Sequence, residues 1–110
     1  MSEDDVLSLT RKLKREPNID TAIDIITWEL GDLRKCETYK EWHPNLSPGY
    51  IEEQKKALGG IVFQSMVIAR LLDTTIDEII DLGFENVKER IKDMKAGSGR
   101  FTEYVGEDKH

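Results

Sequence analysis

The amino-acid sequence predicts an all-α protein of four helices that works as a homo-oligomer. Apolar residues recur at intervals of three and four in four segments, which is helical spacing. Pro17 and the turn-rich stretch 43–49 (HPNLSPG) separate the first three segments. The second half of the third segment, residues 61–69 (IVFQSMVIA), is apolar on nearly every side, and such a helix must be buried all round. Since three other short helices cannot easily surround it, we expect a second copy of the chain to do so.

The first two predicted helices are delimited by capping residues and proline. The first covers about residues 2–15, where Ser2 and Asp5 resemble a capping pair, and Pro17 ends it because proline disfavours helix in the preceding residue. The second covers about residues 19–42. Its predicted buried stripe consists of Ile19, Ile23, Ile26, Leu30 and Leu33.

The last two predicted helices cover about residues 50–72 and 75–96. The fourth begins at a capping box formed by Thr75 and Glu78, and the glycines of 97–99 (GSG) end it. Its predicted stripe consists of Ile76, Ile80, Phe84, Val87, Ile91 and Met94. We therefore predict one helical domain over residues 1–96, followed by a C-terminal arm, 97–110, that is ordered only if it docks.

Composition limits the classes of partner. The 110 residues carry a formal net charge of -6, which disfavours nucleic acid or an anionic membrane as the main partner because polyanions would be repelled. A nucleotide stays possible, since a bound divalent cation reverses the local charge. The acidic N-terminus does not resemble a signal peptide, and no apolar stretch is long enough to span a bilayer. With a single cysteine, Cys36, the chain suits a reducing compartment, and we expect a cytoplasmic location.

Nucleophilic catalysis has little support. Cys36 is the only thiol, and His43 is the only histidine near enough in sequence to serve as its base. A single cysteine on a helix is more often a small core residue. Gly59 and Gly60 lie inside the third helix, where glycine usually permits close packing.

Two carboxylates form the first candidate site. Glu29 and Asp32 are three residues apart and share a helical face with Ala22, Ile25 and Cys36, at the border of the apolar stripe. Acids at the edge of a groove need a partner or a metal ion, and carboxylate oxygens suit Mg²⁺ or Mn²⁺. The alternative is ion pairing with Lys35, Arg34 or a lysine of another helix.

Glu53 is the third candidate metal ligand. It shares a face with Ala57, Gly60 and Gln64. That face would meet Glu29 and Asp32 if the second and third helices pack antiparallel. The alternative is that Glu53 is an acid of the first helical turn, where it interacts favourably with the helix dipole.

In several segments the chain resembles the MazG-like, all-α nucleoside triphosphate pyrophosphohydrolases. That family carries Glu-Glu-x-x-Glu on one helix, Glu-x-x-Asp on the next, and an Asn followed by Arg or Lys on a later helix. Here the similar segments are 28–32 (WELGD), 57–63 (ALGGIVF), 71–79 (LLDTTIDEI) and 84–90 (FENVKER). The resemblance covers most of the chain, from about residue 19 to 95.

The resemblance implies a four-helix MazG-like bundle completed by homodimerisation or by a dimer of dimers. It also implies Mg²⁺-dependent hydrolysis of a nucleoside triphosphate to the monophosphate and pyrophosphate. Glu29 and Asp32 would be metal ligands, and Asn86 and Arg90 would bind the substrate. No catalytic side chain beyond the metal ligands is assigned.

The chain departs from the family pattern at the metal ligands. Trp28 stands in place of the leading Glu, and Ala57 and Gly60 stand in place of the acid and Asp of the second motif. Glu53, one turn before Ala57, is a hypothetical replacement ligand. Two hypotheses follow: a pyrophosphohydrolase with a reduced Mg²⁺ or Mn²⁺ site, and a non-catalytic helical dimer for nucleotide sensing or protein interaction. Two missing ligands favour the second, because ligand number and geometry set metal affinity. A third, a helical interaction module with accidental likeness to the family, is disfavoured by the order of the similar segments.

Overall fold

The computed structural model describes residues 2–13 and 15–95, and this part of the chain is helical without strands. The prediction of an all-α chain is confirmed for these residues. A 3₁₀ turn at Glu3–Asp5 leads into the first helix, and a second 3₁₀ turn occupies Pro44–Leu46. The four helices are α1 (Val6–Lys12), α2 (Ile19–Trp42), α3 (Ser47–Leu71) and α4 (Ile76–Lys95). The predicted arm, 97–110, and the glycine-rich helix end lie outside the described residues.

Helix α1 is preceded by the predicted pairing of Ser2 with Asp5. The backbone N–H of Ser2 donates to a carboxylate oxygen of Asp5 at 3.1 Å. The helix ends at Lys12, earlier than predicted, and residues 15–18 are not helical. The prediction was wrong here because the chain must be extended before Asn18, which caps the next helix.

Helix α2 begins and ends where the sequence predicts. The side-chain oxygen of Asn18 accepts a hydrogen bond from the backbone N–H of Thr21 at 2.8 Å, which satisfies one of the unpaired donors of the first turn. The helix ends at Trp42, because Pro44 disfavours a helical conformation in the preceding residue, His43.

Helix α3 begins at Ser47, earlier than predicted, because Pro48 lies in its first turn. Proline is tolerated there, since the first N–H groups of a helix have no intrahelical partner. At the other end, Asp73 adopts a positive φ of 60°, a conformation that Asp tolerates better than most residues. The N–H of Thr74 then donates to the carbonyl of Ala69 at 2.9 Å, which closes the helix end.

The core lies where α1, α2 and α3 meet. Val6, Ala22 and Val67 are almost fully buried there. Leu7, Phe63, Met66 and Ile68 are partly buried against them. This small cluster is the apolar centre of the first compact unit.

The face of α2 that packs on α3 differs from the predicted buried stripe. Ile23 is 48% exposed and Leu30 is 53% exposed, so this part of the prediction was wrong for the single chain. The buried residues of α2 are the small ones, Ala22 and Cys36, because they let the backbone of α3 approach closely.

A polar contact joins α2 and α3 near the middle of the pair. The amide group of Gln54 donates to the carbonyl of Leu33 at 3.3 Å and to the carboxylate of Glu37 at 3.0 Å. Lys40 also contacts Glu37 at 2.8 Å. The hydrogen bonds from Lys40 and from Gln54 lower the pKa of Glu37 below its ordinary value.

The chain divides into two compact units at Ile76 and Asp77. In the first unit, a carboxylate oxygen of Glu3 accepts a hydrogen bond from the N–H of Ile76 at 2.6 Å, at the first residue of α4. In the second unit, the apolar residues of the predicted α4 stripe are not buried. Phe84, Val87 and the other large apolar residues from Ile79 onward are exposed. Among the described residues no single helix has the length and apolar character to cross a membrane, although α4 combined with the segment from Pro44 through α3 meets that requirement by length and composition alone.

Val67→Ala is expected to lower the free energy of unfolding by about 2 kcal/mol, because it removes buried methyl groups and leaves a small cavity. Leu13→Ala, at a side chain that is 70% exposed, should cost less than about 0.5 kcal/mol although it removes more atoms. Urea denaturation followed by circular dichroism measures both, and equal costs would contradict the position of the core.

Candidate functional site

An open groove of about 350 Å³ runs between α2 and α3. Its lining combines acidic, basic and aromatic side chains. The residues are Glu29, Asp32, Lys35, Cys36, Tyr39, Tyr50, Glu53, Lys56 and Ala57. All three acids that the sequence singled out therefore line one groove, as the hypothesis for antiparallel packing requires.

Antiparallel packing of α2 and α3 brings these residues together. Tyr39 contacts Tyr50 at one end, with ring centroids 5.7 Å apart. Glu29 contacts Gly60 at the other end. Residue numbers thus rise along α2 while they fall along α3, and the acids and lysines lie between these two ends.

Glu29 lies against the backbone of α3 at Gly60. A Cβ atom at residue 60 would overlap a carboxylate oxygen of Glu29, whereas a Cβ at Gly59 would meet open space. Glycine at position 60 therefore accommodates one particular side chain. General helix packing, the interpretation that the sequence favours for both glycines, does not account for this difference.

The other two acids of the groove each pair with a lysine on their own helix. Asp32 lies 3.8 Å from Lys35, and Glu53 lies 3.4 Å from Lys56. All four side chains are about half exposed or more, so these ion pairs are weak and exchange readily with water or a ligand. For Asp32, the pairing with Lys35 is the alternative that the sequence left open.

The carboxylates do not converge on a common point. Across residues 2–13 and 15–95, no group of three or more Asp, Glu, His or Cys side chains is arranged to hold a metal ion. The residues therefore do not fit the Mg²⁺ site that the family resemblance implies. Two local features prevent the carboxylates from converging. Ala57 and Gly60 supply no carboxylate from α3, and the carboxylate of Glu29 occupies the space where a side chain at position 60 would lie.

Aromatic rings form one end of the groove. Tyr39 contacts both Tyr50 and Trp42, with centroid separations of 5.7 Å in each pair. Tyr39, Tyr50 and Lys56 also line the groove, although the sequence pattern did not single them out. Helical spacing would have indicated the two tyrosines. Tyr39 lies two turns after Asp32 and Tyr50 lies one turn before Glu53, so each shares a helical face with an acid of the groove.

The remaining candidates lie elsewhere. Cys36 is only 7% exposed and borders the groove, as expected for a small packing residue, while His43 is exposed at the end of α2. Asn86 and Arg90 are exposed residues of α4 and belong to the second unit.

Comparison with known proteins finds no matching family model, no matching curated protein and no matching solved structure.

Replacing the two glycines separately tests the contact between Glu29 and Gly60. Gly59→Ala should raise the free energy of unfolding by about 1 kcal/mol, the usual helix preference for alanine. Gly60→Ala should gain less, because the carboxylate of Glu29 must rotate away. Urea denaturation of both variants in the wild-type and Glu29→Ala backgrounds checks this.

In the Glu29→Ala background the two glycine replacements should become equivalent. A difference between them that persists without the Glu29 side chain would contradict the contact.

Proposed function

We propose that this protein is a MazG-like protein that has lost pyrophosphohydrolase activity and uses the groove between α2 and α3 to bind a nucleotide. One observation carries the proposal. Glu29, Asp32 and Glu53 line the same groove, yet two of them pair with lysines, and no three acids in the described part of the chain are arranged to hold a metal ion. The order of the segments similar to the family supports the same conclusion.

Metal chemistry explains why hydrolysis would be lost while binding persists. Mg²⁺ requires near-octahedral oxygen ligands, and in phosphoryl transfer it neutralises and orients the phosphates. Alanine and glycine at positions 57 and 60 remove two of the family's ligands. A groove with lysines and aromatic rings still offers contacts to phosphate and base.

A second candidate function is weak Mg²⁺- or Mn²⁺-dependent pyrophosphohydrolysis. The position of Glu53 in the groove, one turn before Ala57, favours it. In this case Glu53 would replace a lost ligand.

Pyrophosphate release from a panel of ribo- and deoxyribonucleoside triphosphates distinguishes the two candidates. We expect wild-type protein, with Mg²⁺ and then with Mn²⁺, to release no more pyrophosphate than Glu29→Gln, because two metal ligands are missing. Circular dichroism establishes that both proteins are folded.

Release that Glu29→Gln abolishes would overturn the non-catalytic proposal. In that event Glu53→Gln, compared with the matched control Glu52→Gln outside the groove, tests the replacement ligand.

The same proposal includes a homodimer or a dimer of dimers. The pairing of α2 with α3 leaves large apolar side chains in contact with solvent. On these helices they include Ile23, Leu30, Leu58 and Val62, each between 45% and 55% exposed. A second copy covering them would gain hydrophobic stabilisation in proportion to the apolar area buried.

Light scattering of Val62→Asp and Val67→Asp tests the assembly. Val67→Asp should unfold the chain, since it places a charge in the core. Val62→Asp should keep its helical content but shift the wild-type dimer or tetramer to a monomer, because the charge falls at the interface. A wild-type protein that is monomeric at high concentration would overturn the homo-oligomer.

A further inference from the structure

We infer that the groove binds a nucleoside monophosphate without a divalent cation, with the base against Tyr39 and Tyr50 and the phosphate at Lys35 and Lys56. This inference rests on the proposed function and specifies the ligand of the same groove. It follows from the charge of the lining, the order of the residues along the groove and the weakness of the lysine pairs.

The charge of the groove limits how many phosphates it can hold. Three carboxylates and two lysines leave one negative charge in excess, in a chain whose formal net charge is -6. A triphosphate without a metal ion would add several negative charges to this surface. A monophosphate adds at most about two, the smallest charge that a nucleotide brings. The two ammonium groups can turn to the phosphate because Asp32 and Glu53 are about half exposed and stay hydrated when their lysines leave.

The order of the residues separates a base end from an acidic end. Tyr39 lies about one helical turn beyond Lys35 on α2, so a nucleoside stacked on the tyrosine places its 5′ phosphate toward the lysines. Glu29 lies six residues before Lys35, about 9 Å further along the helix. Additional phosphates would extend toward this carboxylate, which has no ion-pair partner among the described residues.

The lysines are free to exchange partners. Lys35 and Lys56 are 57% and 67% exposed, and each pairs loosely with an acid three residues earlier on its own helix. Such pairs contribute little to stability, so a phosphate can take the ammonium groups without disturbing the fold. The lysines come from opposite helices, and both line the groove.

The aromatic end of the groove supplies a stacking surface. Tyr39 and Tyr50 both line the groove, and their rings are tilted by 54°, so they are not stacked on each other. Aromatic rings of this kind bind the flat face of any base, and the hydroxyl groups add hydrogen-bonding partners. The neighbouring carboxylates accept hydrogen bonds from ribose hydroxyls or base amino groups.

Calorimetric titration of the full chain, in EDTA and then in Mg²⁺, tests the inference. The probes are the four ribonucleoside 5′-monophosphates and the corresponding triphosphates. At least one monophosphate should bind in EDTA with an affinity that Mg²⁺ leaves unchanged, and its triphosphate should bind at least tenfold more weakly in EDTA.

Matched variants separate the contributions of the groove residues. Lys56→Gln should weaken monophosphate binding at least fivefold, while Lys55→Gln, outside the groove, should not. Glu29→Gln should strengthen triphosphate binding in EDTA, while Glu52→Gln should not. Glu29→Gln keeps the shape of the side chain that lies against Gly60, and Lys56 is 67% exposed, so both variants should stay folded.

The outcomes distinguish a failure of this inference from a failure of the proposed function. Absence of monophosphate binding in EDTA, or binding that requires Mg²⁺, overturns the inference and leaves the loss of hydrolysis standing. Pyrophosphate release by the wild-type protein overturns the proposed function itself. Equal effects of Lys55→Gln and Lys56→Gln would mean that binding depends on general charge attraction and not on the groove, which would also overturn the inference.

Discussion

The antiparallel packing of α2 against α3 is the interaction on which the described structure depends. Small residues allow the two helices to approach closely, because Ala22 and Cys36 on α2 and Ala57 on α3 are buried. Gly60 leaves room for the side chain of Glu29. The bond from Gln54 to the backbone of α2 connects the helices near the middle of the pair. Every residue of the groove lies on one of these two helices, so their register determines the site.

The same close approach changes the chemistry of the groove. Glycine at position 60 gives Glu29 a place against the backbone of α3, where a larger side chain would push the carboxylate outward. A carboxylate held in this way is poorly placed to share a cation with Asp32 or Glu53. The absence of a carboxylate from position 60 and the position of Glu29 against α3 are therefore two consequences of one residue.

The exposed apolar side chains bear on the stability of the chain, whereas the groove residues bear on ligand binding. Within the described residues, the first compact unit has an apolar cluster around Val6 and Val67, while Ile23 and Leu30 stay about half exposed. Covering its remaining apolar surface by association would stabilise the fold by mass action. The half-exposed pairs in the groove contribute little to stability, which leaves those side chains available for a ligand.

The sequence by itself determined the helical class and the bounds of α2, and it singled out Glu29, Asp32 and Glu53 by their positions on helical faces. These features depend on local spacing, capping and helical periodicity, which a single chain segment encodes. It did not determine which face of α2 is buried, because Ile23 and Leu30 form a more apolar stripe than the small residues that actually meet α3. Only the tertiary structure decided that choice, together with the contact of Glu29 with Gly60 and the pairing of Tyr39 with Tyr50, since each depends on the register between two helices distant in sequence.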